Sequence, residues 1–170
     1  MIPVGIDDAS FQTPLFYLRL EDLATMRGIE PNKYRVGLGQ YKMAVPPPDE
    51  GIVTMAASAA HRILNEDNRD QIGLVLFATE SSIDQSKSAG IYVHQLLNLP
   101  KRCRVLELKQ ACYSATAGLQ LALTWLQANP EQKVFAAKTF QCYAETFGRN
   151  HVFSQGENQC ECLPLKLFSF

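Results

Sequence analysis

The chain has 170 residues, the length of one ordinary domain or at most two small ones. Its 46% apolar and 19% charged content is that of an average soluble globular protein, not a disordered or fibrous one. Sixteen Lys and Arg against 17 Asp and Glu leave a net charge of −1, which excludes an overall basic field for nucleic acid and an acidic tail. No apolar run approaches the ~20 residues of a membrane-spanning helix, and Met1-Ile2-Pro3-Val4-Gly5 lacks the regions of a signal peptide. A cytoplasmic protein with no nucleic-acid or membrane partner is the expectation. Five cysteines (Cys103, Cys112, Cys142, Cys160, Cys162) are then reduced structural thiols, or at least one of them does chemistry.

In chain order, the Val4 and Ile6 alternation predicts a short first strand. Leu18 to Arg27 has helical spacing ended by Gly28, a natural C-cap. Residues 29 to 50, punctuated by Pro31, Gly37, Gly39 and Pro46-Pro47-Pro48, read as a long ordered loop, and loops of this length are usually functional. Ile52 to Leu64 is an apolar-faced helix, and Ile72 to Thr79 (IGLVLFAT) is a strand buried on both faces. Ser86 to Leu97 is helical, Val105 to Leu108 a strand, Cys112 to Ala128 a long helix, and Val134 to Ala137 begins another strand. This alternation predicts a layered α/β fold with parallel neighbours. From Lys138 onward no period of 2 or 3.6 persists, and the end is oddly apolar.

Cys112 stands at a strand-to-helix junction followed by the small residues Ser114, Ala115, Ala117 and Gly118. A helix N-terminus stabilises a thiolate and cradles an oxyanion, which suits an acyl-enzyme nucleophile. A buried structural cysteine is the alternative. Glu80 follows the buried strand, and functional groups gather at the carboxyl ends of parallel strands. A carboxylate there can move a proton near a thioester. Asp84 reads instead as a cap for the helix beginning near Ser86.

Residues 4 to about 137 resemble the N-terminal half of a hydroxymethylglutaryl-CoA (HMG-CoA) synthase, a thiolase-superfamily enzyme. The resemblance rests on Val4-Gly5-Ile6, Gly28 to Tyr34, Gly37-Leu38-Gly39-Gln40, Ala78 to Ser81, Ile83 to Lys87, and Ala111-Cys112-Tyr113 through Thr116-Ala117. It implies a thiolase-like layered α/β/α fold, here only the N-terminal half of a duplicated unit. It further implies that Cys112 accepts an acetyl group from acetyl-CoA, and that Glu80 is the general acid/base for condensation with acetoacetyl-CoA. The product would be HMG-CoA of the mevalonate route to isoprenoids. Glu30 and Pro31 fall in a loop that contacts CoA in the family. No metal or cofactor beyond the CoA thioester substrates is implied, and the full-length family is expected to be homodimeric.

The resemblance has limits. The family's second half supplies the catalytic histidine, whereas His61 and His94 fall in predicted helices and His151 in the unmatched tail. After Ala137 the family's Asp-Ile turn and Gly-rich segment are replaced by Lys138-Thr139-Phe140. The expected organisation is therefore a thiolase-like domain over 1–137 and a divergent tail over 138–170, from a frame shift or a truncated gene. Cys160-Glu161-Cys162 is a weak metal pattern without a second ligand pair. Two other readings stay open: a polyketide β-branching HMG synthase, and an inactive remnant serving as a binding or interaction protein.

Overall fold

In the computed structural model, residues 3–80 and 82–139 are described throughout, and 163–169 by backbone alone. Within them, five strands form one sheet: β1 (Val4–Ala9), β4 (Ile72–Thr79), β5 (Arg104–Lys109), β6 (Lys133–Thr139) and β7 (Leu163–Ser169). Their order is β1-β7-β6-β4-β5, with β4 parallel to both β5 and β6, and β7 antiparallel to β6 and β1. The crossovers after β4 and β5 are helices α5 (Ala89–Leu96) and α6 (Ser114–Ala128), as the alternating pattern predicts.

Strand β4 is buried at every position because each face meets a helical layer. Val75 and Phe77 pack with Ala89 and Val93 of α5 and with Ile52 and Ala56 of α3 (Ile52–Ala60). Leu74 and Leu76 point the other way, onto Ala122 and Leu126 of α6. Alternate residues of one strand thus feed two cores, which is why the sequence reads as a continuous apolar run. Helix α5 can approach closely because Gly90 leaves room: a Cβ there would lie 2.8 Å from Val105 Cγ1 and 3.0 Å from Phe77 Cβ.

Several boundaries differ from the sequence expectation. Leu18 belongs to β2 (Phe16–Arg19), not to the following helix α1 (Leu20–Arg27), because it pairs with Met43 of β3 (Lys42–Val45). Gly28 does end α1, with φ 61. The predicted loop 29–50 therefore contains β3 and a short helix α2 (Asn32–Arg35). Helix α3 stops at Ala60, and a single turn α4 (Glu66–Arg69) precedes β4. Helix α5 starts at Ala89, not near Ser86. The Asp84 carboxylate accepts the Ser86 and Lys87 amides at 2.7 and 2.9 Å, which holds residues 84–87 in a turn. Ser88 is the N-cap, accepting from the Gly90 amide, while Glu107 of β5 accepts the Ala89 amide at 2.6 Å. Asp84 organises the approach to the helix without capping it.

The tail contributes to the sheet after all, through β7. Strand β6 itself runs past Ala137 to Thr139. His151, Cys142 and the Cys160-Glu161-Cys162 pattern lie outside the described residues. Among the described residues no helix is long and apolar enough to cross a membrane.

Candidate active site

Strands β4 and β5 are parallel neighbours whose register aligns Thr79 with Lys109. Both therefore end on the same edge of the sheet, and the residues immediately after them, Glu80 and the 110–112 turn, emerge side by side. The Cys112 thiol donates to Glu80 Oε1 at 3.4 Å. Cys112 is exposed and Glu80 half-buried, so a reagent can reach the sulfur while the carboxylate is partly shielded. The two candidates lie on one edge of the sheet, and opposite faces are excluded.

The connection that presents Cys112 is sharper than a simple helix start. Ala111–Tyr113 form a separate 3-10 turn, and α6 begins only at Ser114. Ala111 has φ 45, a left-handed conformation that costs a residue with a Cβ about 1–2 kcal/mol. That reversal turns the chain from β5 into α6 within a few residues and leaves Cys112 at the crest, beside the start of α6, where the Tyr113 and Ser114 amides donate to the Gln110 and Ala111 carbonyls.

Strain of this kind persists only where the surroundings over-determine it. Here the Ala111 carbonyl accepts from Ser114 Oγ at 2.8 Å and from Lys138 Nζ at 3.0 Å. Lys138 Nζ also donates to Ser114 Oγ at 2.8 Å. Lys138 comes from the carboxyl end of β6, where it aligns with Ala78 of β4, and it is only 4% exposed. Burial pulls its pKa below the ordinary lysine value, while Glu80 and Cys112 act in the opposite direction. Sequence reasoning missed Lys138 as a site residue and treated Ser114 only as a small packing residue. The available signal was a lysine closing an apolar strand on the edge that already held Glu80 and Cys112.

The other candidates sit apart. Glu30 is exposed and half-buried Pro31 is the residue before α2; their carbonyls accept the amides of Lys33, Tyr34 and Arg35, so they form a surface turn as expected. His61 follows the last residue of α3, on the surface. His94 Nε2 lies 3.0 Å from the Pro100 carbonyl, just ahead of β5 and therefore at the opposite edge of the sheet from Cys112. Neither histidine joins the Cys112–Glu80 pair.

The family model described as the N-terminal part of hydroxymethylglutaryl-coenzyme A synthase matches residues 2–140. The chain belongs to the HMG-CoA synthase family. It is 44% identical over 131 residues to the hydroxymethylglutaryl-CoA synthase of Enterococcus faecalis, covering 77% of this chain and 34% of that relative. It is 37% identical over 138 residues to the polyketide biosynthesis 3-hydroxy-3-methylglutaryl-ACP synthase PksG of Bacillus subtilis, covering 78% and 33%. A crystal structure of HMG-CoA synthase complexed with CoA superposes with a TM-score of 0.86 at 32% identity, over 99% of this chain and 42% of that one. The curacin-pathway HMG synthase in complex with acetyl donor-ACP gives 0.87 at 30% identity, over 98% and 41%. The fold is thus the thiolase-like layered α/β of HMG-CoA synthases, and the chain spans about a third of the length of the curated relatives it matches.

Proposed function

We propose that Cys112 is the acyl acceptor of an HMG-CoA synthase and Glu80 its general acid/base. The observation that carries the reading is the 3.4 Å thiol–carboxylate contact, formed where two adjacent parallel strands end. The Cys112 thiolate attacks the carbonyl carbon of acetyl-CoA, the amides opening α6 stabilise the oxyanion, and the carbon–sulfur bond to CoA breaks. CoA leaves as a thiolate and takes up a proton. Glu80 then removes a proton from the methyl group of the acetyl thioester. The resulting carbanion adds to the ketone of acetoacetyl-CoA, and the new alkoxide is protonated. Water hydrolyses the thioester, freeing Cys112 and releasing HMG-CoA for the mevalonate route.

For acyl transfer, this edge of the sheet offers the thiol, a carboxylate and a helix start that can supply part of the thiolate and oxyanion stabilisation. Condensation also needs a positioned second substrate, and such positioning is worth about 7–11 kcal/mol of barrier. The chain of 170 residues is expected to acquire a slow acetyl label from acetyl-CoA and to form no HMG-CoA alone. Mass mapping after incubation with acetyl-CoA tests this, with Cys112→Ala as control. Label that survives the substitution sinks the nucleophile assignment, and HMG-CoA formed by the purified chain sinks the division of labour. In deuterated water, Glu80→Gln should slow deuterium entry into the acetyl methyl group by roughly 10²–10⁴-fold, the usual worth of a general base.

The similarity to the curacin-pathway HMG synthase in complex with acetyl donor-ACP favours one alternative donor, an acetyl group on an acyl carrier protein. Offering both donors to the same chain discriminates, since faster labelling from the carrier points to polyketide β-branching. Absence of any Cys112-dependent label leaves the binding-protein reading.

A further inference from the structure

The Cys112–Glu80 contact raises a charge problem. A thiolate and a carboxylate 3.4 Å apart repel each other, and solvent and the start of α6 offset this only in part. Among the described residues one lysine is buried, Lys138. Lys138 reaches Ala111 O and Ser114 Oγ, the atoms that flank Cys112 on either side, and its stem borders a small hollow shared with Ala78, Ala115, Gly118 and Ala137. Lysines are almost never buried this fully without a partner set. Here two of those partners belong to the cysteine turn itself.

We propose that Lys138 is a positioning residue for Cys112: it clamps the left-handed Ala111 turn and sets a fixed positive charge under the thiol–carboxylate pair. The clamp acts through the Ala111 carbonyl, which also accepts from the Ser114 amide and hydroxyl, so the ammonium adds a third, charged donor to it. The charge acts through space, making a thiolate beside a carboxylate less costly. The burial that disfavours the ammonium is opposed by the two acidic groups it serves. The proposal deepens the acyl-acceptor reading and rests on it for its biological meaning, yet its test needs no CoA.

The test compares alkylation of Cys112 by anionic iodoacetate and neutral iodoacetamide. Trypsin cleavage after Lys109 and Lys133 isolates residues 110–133, whose only cysteine is Cys112, so mass mapping reads that site alone. Lys138→Met should slow iodoacetate on the order of tenfold and iodoacetamide about threefold, the difference being the lost charge. Lys138→Arg, which keeps the charge and the donors, should restore most of both rates. Equal slowing of the two reagents by both variants would make Lys138 a space-filling residue only and overturn the proposal, as would unchanged rates in Lys138→Met. If Lys138→Met fails to fold, Ser114→Ala decides: loss of one acceptor and of one support for Ala111 should slow both reagents about two- to threefold, and an unchanged rate refutes the clamp. Absence of acetyl labelling together with Lys138-dependent alkylation would reject the acyl-transfer reading and leave this one standing.

Discussion

Strand β5 carries a thiol just beyond each of its ends, and the two could hardly differ more. Cys103, ahead of Arg104, is 9% exposed within the apolar cluster of α3, α5 and β4, and its burial pushes the pKa up to about 11. Cys112, past Lys109, is exposed, hydrogen-bonded to Glu80 and underlain by Lys138 through Ala111 and Ser114. At one edge of the sheet the environment suppresses the charged form, and at the other it gathers polar groups around it. One residue type becomes a small hydrophobe or a candidate nucleophile according to which end of a parallel strand it occupies.

The sharpest way to break this comparison is to alkylate the folded chain. Cys112 should react at least about 100-fold faster than Cys103, because reaching Cys103 requires a local opening of roughly 3 kcal/mol or more. Similar rates measured by mass mapping would mean that the amino-terminal edge is not closed. A pH series sharpens the other side. Cys103 holds its proton to about pH 11 when folded, against an ordinary value of 9.0. The stability this contributes is fully present below pH 9 and is lost as pH rises through 11, by about 2–3 kcal/mol. Denaturant titrations should show that loss as the difference between the chain and Cys103→Ala. No difference would place Cys103 in water.

Two smaller effects probe the backbone that separates the edges. Gly90→Ala forces a methyl group against Val105 and Phe77 and should cost about 1–3 kcal/mol without altering Cys112 alkylation. Ala111→Gly removes the left-handed penalty but frees the unfolded chain, so stability should change by less than about 1 kcal/mol. A large loss there would show that the Ala111 methyl packs against something essential.

What was legible in the sequence follows from local physics. Ile72–Thr79 announces itself because both faces are covered, and its observed bounds coincide with the apolar run. Cys112 and Glu80 were legible as ends of predicted parallel strands. Strand β3 was hidden, since Lys42–Val45 is only four residues long and half-exposed, and its partner β2 carries Leu18, which also fits a helical spacing. Lys138 was hidden for a different reason. Its importance depends on the register between β4 and β6 and on the left-handed Ala111, and neither can be read from spacing along the chain.

The place of β7 has a consequence for how the molecule is made. Among the described strands, β1 meets the sheet only through β7, with Val4 opposite Ser169 and Ala9 opposite Leu165. As a ribosome releases the chain, β4, β5 and β6 and their helices can assemble as soon as residue 139 has emerged. The first strand made must wait, unpaired, for residues 163–169. During that interval β6 offers an open ladder of amides and carbonyls to any extended segment nearby, including one from another nascent copy. Joining ends so distant in sequence is slow because the loop must close before any contact rewards it. A hazard for this chain therefore lies in its synthesis: crowded polysomes and fast initiation should raise aggregation.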